Sequence, residues 1–229
     1  MTSSREKILS KLRAVSQPFP DAPPRPKAYL PVTDQDDLSP DGLLARFTLE
    51  MERLQGQVFP ADSDDDAREK TVELLQTHHA THILAWHFTR IPVKKLRDAI
   101  EAAGITITQP DVQDEFRAET IEAIRDAQVG LTGVDAAAAT TGTLIVTTGT
   151  GKGRIPTMLP PVHLVVMTLD QLVPRLEDWV AQERAQNLKA IRDSANVCFI
   201  SGPSRTGDIE MELVLGVHGP GQLQVVVRR

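Results

Sequence analysis

THILAWHFTRIPVKKLRDAIEAAGITITQPDVQDEFRAETIEAIRDA, residues 81–127, changes its apolar period several times. Thr81–Phe88 is a continuous, largely apolar run of strand length, and Val93–Ala103 carries its apolar residues at helical spacing. Gly104 then ends the helix, because glycine takes the left-handed conformation without steric cost. Ile105–Thr108 reads as a second strand and Ala118–Ala127 as a second helix. Strand–helix–strand–helix alternation predicts a parallel sheet with right-handed crossovers, hence an α/β protein.

Upstream, Asp41–Val58 reads as a helix, with Leu43, Leu44, Phe47, Met51 and Leu54 forming its apolar stripe. Asp62–Asp66 is an acidic cluster ahead of a helical segment, Ala67–Gln76. Metal binding is the sharp reading of that cluster; the simpler one is that acids favour the positive end of a helix. His78 and His82, or His79 and His82, have zinc-ligand spacing on a continuous helix. The chain turns from helix to strand near Ala80, which removes the shared face, so no metal site is expected.

Before this lie a short helix, Ser4–Val15, and a segment, Ser16–Pro31, carrying Pro18, Pro20, Pro23, Pro24, Pro26 and Pro31. Such density forbids a regular helix or central strand. The expected organisation is a helix and proline-rich arm over 1–38 and an α/β domain over 39–229. An arm swapped onto a second copy leaves a homo-oligomer open.

The 229 residues are 41% hydrophobic and 24% charged, with a formal net charge of -6. Aromatics are 4%, so aliphatic side chains must fill the core. No basic stretch interleaved with aromatics argues for nucleic acid or an anionic membrane. No apolar run approaches the roughly 20 residues that span a bilayer, and the N-terminus lacks the apolar centre of a signal peptide. The one cysteine, Cys198, sits in the apolar run Val197–Ile200 and reads as a small buried hydrophobe. With no disulfide within the chain, a reducing cytoplasm is the expected compartment.

From Val129 onward the chain is rich in Gly, Thr and Ala between apolar runs; Leu144–Val146 and Val162–Met167 read as buried strands. Thr140-Thr141-Gly142-Thr143 offers hydroxyls and turn amides to carboxylate or phosphate oxygens, or is a hairpin whose threonines bond their own backbone. Thr148–Arg154 has three glycines, Lys152 and Arg154. It matches neither a P-loop nor a dinucleotide fingerprint; a lid with an anion-binding Arg154 and a solvated loop are the two readings. Pro160-Pro161 forces extended geometry into a strand that begins near His163 and is compatible with a cis bond. Asp170–Ala181 reads as a helix. After the strand Val197–Ile200, Gly202–Glu210 reads as a turn opening a helix, with Ser204, Arg205 and Thr206 facing an anion and Asp208 and Glu210 in the first turn. Arg205 paired with those acids is the alternative. Leu223–Val227 is the final strand.

TTGTL (140–144), GKGR (151–154), LPPVH (159–163), LVP (172–174), SGPSRTGDIEM (201–211) and LGVHGPGQL (215–223) together resemble the lactate-utilisation (LUD) domain family, in its protein C branch. The resemblance covers roughly residues 40–229. It implies a Rossmann-like three-layer α/β/α sandwich of the glucosamine-phosphate isomerase, ribose-phosphate isomerase and CoA-transferase superfamily. It also implies a part in oxidation of L-lactate to pyruvate beside iron–sulfur partner proteins. Any cluster resides in those partners, since one cysteine cannot supply about four thiolates. Many relatives carry an acid where this chain has Thr140, so carboxylate chemistry there is not expected; the other acids nearby are Asp135, Asp208 and Glu210.

The expected site is one cleft binding a small carboxylate or phosphorylated ligand through Thr141, Gly142, Thr143, Arg154, Ser204, Arg205 and Thr206. His163, Asp208 and Glu210 are the candidates for acid–base chemistry. The alternatives are a free-standing isomerase or CoA-transferase type of enzyme and a ligand-binding protein without chemistry.

Overall fold

The structure, a computed structural model, describes residues 4–15, 37–110, 116–207 and 213–229. The chain divides into two units, Met1–Asp36 and Asp37–Arg229. In the first, α1 (Ser4–Val15) is helical, with Ile8 and Leu12 exposed.

The second unit begins with α2 (Pro40–Arg53). The Ser39 side chain accepts the Gly42 N–H, and Pro40 stands in the first turn, where its missing N–H costs nothing. Leu44, Phe47 and Met51 form the buried stripe. The helix expected to reach Val58 stops at Arg53, and Gln57–Ala61 is instead β1. It is an edge strand, which is why it tolerates Pro60. Next, α3 (Asp64–Thr77) is capped by Ser63, and Asp64, Asp65 and Asp66 occupy its first turn.

The remaining elements are β2 (His82–Ala85), α4 (Leu96–Ala102), β3 (Thr106–Thr108), α5 (Arg117–Ile124), β4 (Val129–Thr132), β5 (Ala136–Ala138), β6 (Thr143–Thr147), α6 (Ile155–Met158), β7 (Val162–Thr168), β8 (Leu172–Val173), α7 (Leu176–Ala185), α8 (Lys189–Arg192), β9 (Val197–Ser201), β10 (Arg205–Gly207), β11 (Leu213–Leu215) and β12 (Gln222–Arg228). Six strands form a wholly parallel sheet in the order β1-β12-β7-β4-β2-β3. A smaller sheet runs β8-β5-β6-β9, with β9 at one edge, and β10 and β11 make an antiparallel hairpin.

Register carries two faces across the parallel sheet. Leu84, Gly130, His163 and Leu223 lie in one row; Leu131, Leu164 and Gln224 lie on the opposite face. His78, the residue that caps α3, bonds Gln224 Oε1 at 2.8 Å, which puts the end of α3 on the second face. On the first, a Cβ at Gly130 would overlap the Pro156 carbonyl of α6. Ile121 and Ile124 of α5 join Leu84 and Ile155 there. Helices thus cover both faces, and β4, β7 and β12 are buried over nearly their whole length, as a parallel sheet requires.

Several expectations need correcting. The helix expected over Asp170–Ala181 is a short 3₁₀ turn (Leu169–Gln171), β8, and then α7. Pro174 disfavours helical geometry in the residue before it, so the helix starts only beyond it. The turn after β9 leads into β10, which pairs antiparallel with β11, and the helix expected to start around Asp208 and Glu210 lies outside the described residues. Cys198 is exposed, because β9 is an edge strand of which Val197 and Ile200 pack half-buried against the core while Cys198 and Phe199 do not. No cis peptide occurs among the described residues, Pro160-Pro161 included.

Candidate functional site

The sheet order locates the first place to look. From β2 to β3 the chain moves toward one edge of the sheet; from β4 through β7 to β12 it moves toward the other. The winding reverses between β2 and β4, and in open α/β sheets ligands gather beyond the carboxyl ends of the strands at such a reversal. A cleft of about 590 Å³ lies there, lined by Ala85 and His87 after β2, Gln109 and Pro110 after β3, Arg117 and Ile121 of α5, and the segment from Gly149 to Pro156. That volume is within the range of roughly 300–1,000 Å³ usual for small-molecule sites.

The glycine-rich segment is pinned rather than loose. Gly151 takes φ +73° within a tight turn closed by Lys152 N–H donating to the Gly149 carbonyl at 2.9 Å. His87 N–H donates to the Gly151 carbonyl at 2.9 Å, and Trp86 Nε1 donates to that of Gly153 at 2.9 Å. Lys152 turns inward. Its Nζ sits 2.5 Å from Asp135 Oδ1, 2.6 Å from Thr147 Oγ1 and 5.6 Å from the centroid of the Trp86 ring. Asp135 Oδ2 accepts the Thr147 N–H at 2.6 Å as well. Lys152 is therefore a structural anchor, and Arg154 and Arg117 are the cations left lining the cleft. Neither makes an ion pair among the described residues, and no carboxylate among those residues lines the cleft. The sequence segment 111–115, with Asp111, Asp114 and Glu115, lies outside them.

A second cavity, about 300 Å³, lies at the other end of α6 and shares no lining residue with the first. His163, at the start of β7, is part of its wall, with Ser204, Cys198, His218 and the apolar Met158, Phe199 and Leu223. His163 is 1% exposed, and its Nε2 lies 2.8 Å from Oγ1 of the fully buried Thr132. Burial pushes its pKa down to about 4, so the ring is neutral at physiological pH.

The expected single cleft is thus divided. Arg154 belongs to the first cavity, Ser204 and His163 to the second. The TTGT turn lies against neither. Gly142 (φ +57°) packs on α2, where a Cβ would come within 2.9 Å of the Met51 nitrogen. Thr143 Oγ1 is shared between Thr141 Oγ1 at 2.7 Å and Ser201 Oγ at 2.9 Å, its cross-strand partner in β6–β9. Thr143 Oγ1 also donates to the Thr141 carbonyl at 3.3 Å, the kind of backbone bond that the hairpin reading expects. Arg205 Nη2 donates to the carbonyl of Leu54 at the end of α2. Thr206 lies in β10, half-buried. Asp208 and Glu210 lie outside the described residues. Composition did not single out His87 or Arg117. His87 had a usable signal, a position just past a parallel strand; Arg117 had none.

A parallel sheet sheathed by helices on both faces, with a cleft lined by Arg117 and Arg154 at its winding reversal, defines an α/β protein with a mainly parallel central sheet. The LUD domain model matches residues 44–227, so the chain belongs to the LUD domain family. It is 30% identical to a lactate utilization protein C of Exiguobacterium sp. over 192 residues, 82% of this chain and 79% of that one. To the lactate utilization protein C of Halalkalibacterium halodurans it is 31% identical over 157 residues, 68% of this chain and 66% of the relative's length. A crystal structure of a DUF162 family protein from Deinococcus radiodurans has the same fold, with a TM-score of 0.58 at 22% identity, over 84% of this chain and 100% of that one. Among the described residues no helix is long and apolar enough to cross a membrane, and no cluster of side chains could hold a metal ion.

Proposed function

We propose that the chain is a component, without a cluster of its own, of a cytoplasmic L-lactate to pyruvate oxidation system, and that it binds a small carboxylate in the cleft beyond β2 and β3. The observation that carries this reading is a cleft at the sheet's winding reversal with Arg117 and Arg154, neither ion-paired among the described residues, in a chain whose relatives are named lactate utilization protein C. Guanidinium groups match carboxylates in shape as well as charge. Iron–sulfur clusters belong to partner proteins, since this chain carries one cysteine and such clusters take about four thiolates. A parallel sheet covered on both faces fits the Rossmann-like α/β/α sandwich of the glucosamine-phosphate isomerase, ribose-phosphate isomerase and CoA-transferase superfamily.

The experiment is lactate-dependent dye reduction by the iron–sulfur partners, purified from the same source, with and without this chain. Full rate is expected only with the chain present. The same rate in its absence removes the subunit role.

A further inference from the structure

His87 is tied down at both its backbone and its ring. It follows β2 by two positions, and its N–H donates to the Gly151 carbonyl of the glycine loop. Gly151 leaves the room for this, since a Cβ there would come within 2.9 Å of the His87 Cβ. On the ring, Nδ1 receives the Thr89 backbone N–H at 3.4 Å and lies 2.8 Å from Thr89 Oγ1. An amide N–H can only donate, so Nδ1 presents its lone pair and the hydroxyl donates to it too. The proton of the neutral ring is then on Nε2, the nitrogen left for a ligand. An imidazole held in this tautomer offers a hydrogen to an oxygen; it is the wrong tautomer to take a proton from a hydroxyl at Nε2. The same cleft holds Arg117 and Arg154.

We infer that His87 reads the oxygen next to the carboxylate. Arg154 holds the carboxylate, and the Nε2–H of His87 donates to an acceptor oxygen on the adjacent carbon, so the cleft selects 2-oxo carboxylates over plain ones. This deepens the proposed function and rests on its assignment of the anion to this cleft. A 2-oxo oxygen is an acceptor only and satisfies the donor fully. A 2-hydroxyl also accepts, but brings a proton that needs its own partner. The expected order is therefore 2-oxo, then 2-hydroxy, then unsubstituted acid.

The test is titration of the full chain with pyruvate, L-lactate and propionate, followed by ligand-observed NMR. Pyruvate is expected to bind about tenfold more tightly than propionate, the worth of one net hydrogen bond to a charged or strongly polar group. In His87→Ala, pyruvate falls to the propionate level while propionate is unchanged. His87→Gln, which keeps an N–H donor, retains part of the preference. Equal binding of pyruvate and propionate by the unaltered protein overturns the role of His87 and leaves the carboxylate cleft standing. A loss of both acids in parallel in a folded His87→Ala overturns it as well, since that is the mark of a structural side chain. If the unaltered protein binds none of the three, the anion reading of the cleft falls and takes this inference with it.

Discussion

The imidazole of His163 is enclosed in β7 with a hydroxyl, Thr132 Oγ1, as its near neighbour and no ion pair among the described residues, and burial lowers its pKa from 6.5 to about 4. Unfolded, the same ring takes up a proton below pH 6.5. Stability is therefore complete above that value and drains away as the pH falls toward 4, by up to about 3 kcal/mol. Urea unfolding at intervals across that window should show the fall, and His163→Gln should remove this component of it. A wild-type curve with no such component would mean that the ring charges without cost. Arg205 is a second residue whose chemistry is structural, because its guanidinium caps the last turn of α2 at Leu54. Arg205→Ala should lower stability by about 1 kcal/mol and leave carboxylate affinity unchanged. Arg154→Ala should do the reverse, weakening every carboxylate by about tenfold with an unchanged unfolding midpoint. Calorimetric titration and denaturant unfolding on the two variants separate the roles.

The glycine loop between β6 and α6 works as a pinned element whose anchor is one ion pair. Lys152 and Asp135 have side chains only 14% and 25% exposed, so solvent screens them little. Lys152→Met strips the carboxylate of its cation and the Trp86 ring of its partner, leaving Asp135 with the Thr147 bonds alone. The expected cost is about 2 kcal/mol, read by denaturant unfolding, with new proteolytic cuts within residues 149–153. A variant as stable and as resistant as the parent would show that the loop does not depend on this pair. At the other end of the loop, α6 lies close on the sheet because residue 130 has no side chain. That contact sets one wall of each cavity, Ile155 and Pro156 toward the first, Thr157 and Met158 toward the second.

Across the whole molecule, the alternation of periods over 81–127 was legible because it is local. A strand's run and a helix's stripe are written in consecutive residues, and β2, α4, β3 and α5 appear where they were read, within a few positions at their ends. The anchoring of Lys152 was not legible, since its partner Asp135 lies across a strand pairing and nothing in Thr148–Arg154 announces it. Nor was exposure of Cys198. An apolar run looks the same whether its strand is central or at an edge, and only pairing with β6 on one side decides which. Loops 140–143, 148–154 and 202–206 read alike in sequence because each carries glycine and threonine, with an arginine in the last two.

What the sequence determined unaided was therefore the class of structure, the family and which loops carry glycine, hydroxyls and cations, because backbone freedom, period and side-chain type belong to single segments. Which loops share a cavity was decided by tertiary structure alone. β9 pairs antiparallel with β6 in the smaller, mixed sheet instead of extending the parallel one, so Ser204 lines the cavity at one end of α6 while Arg154, with His87 and Arg117, lines the cleft at the other. Strand order and register are set by pairings between distant residues, and no stretch of chain read by itself contains them.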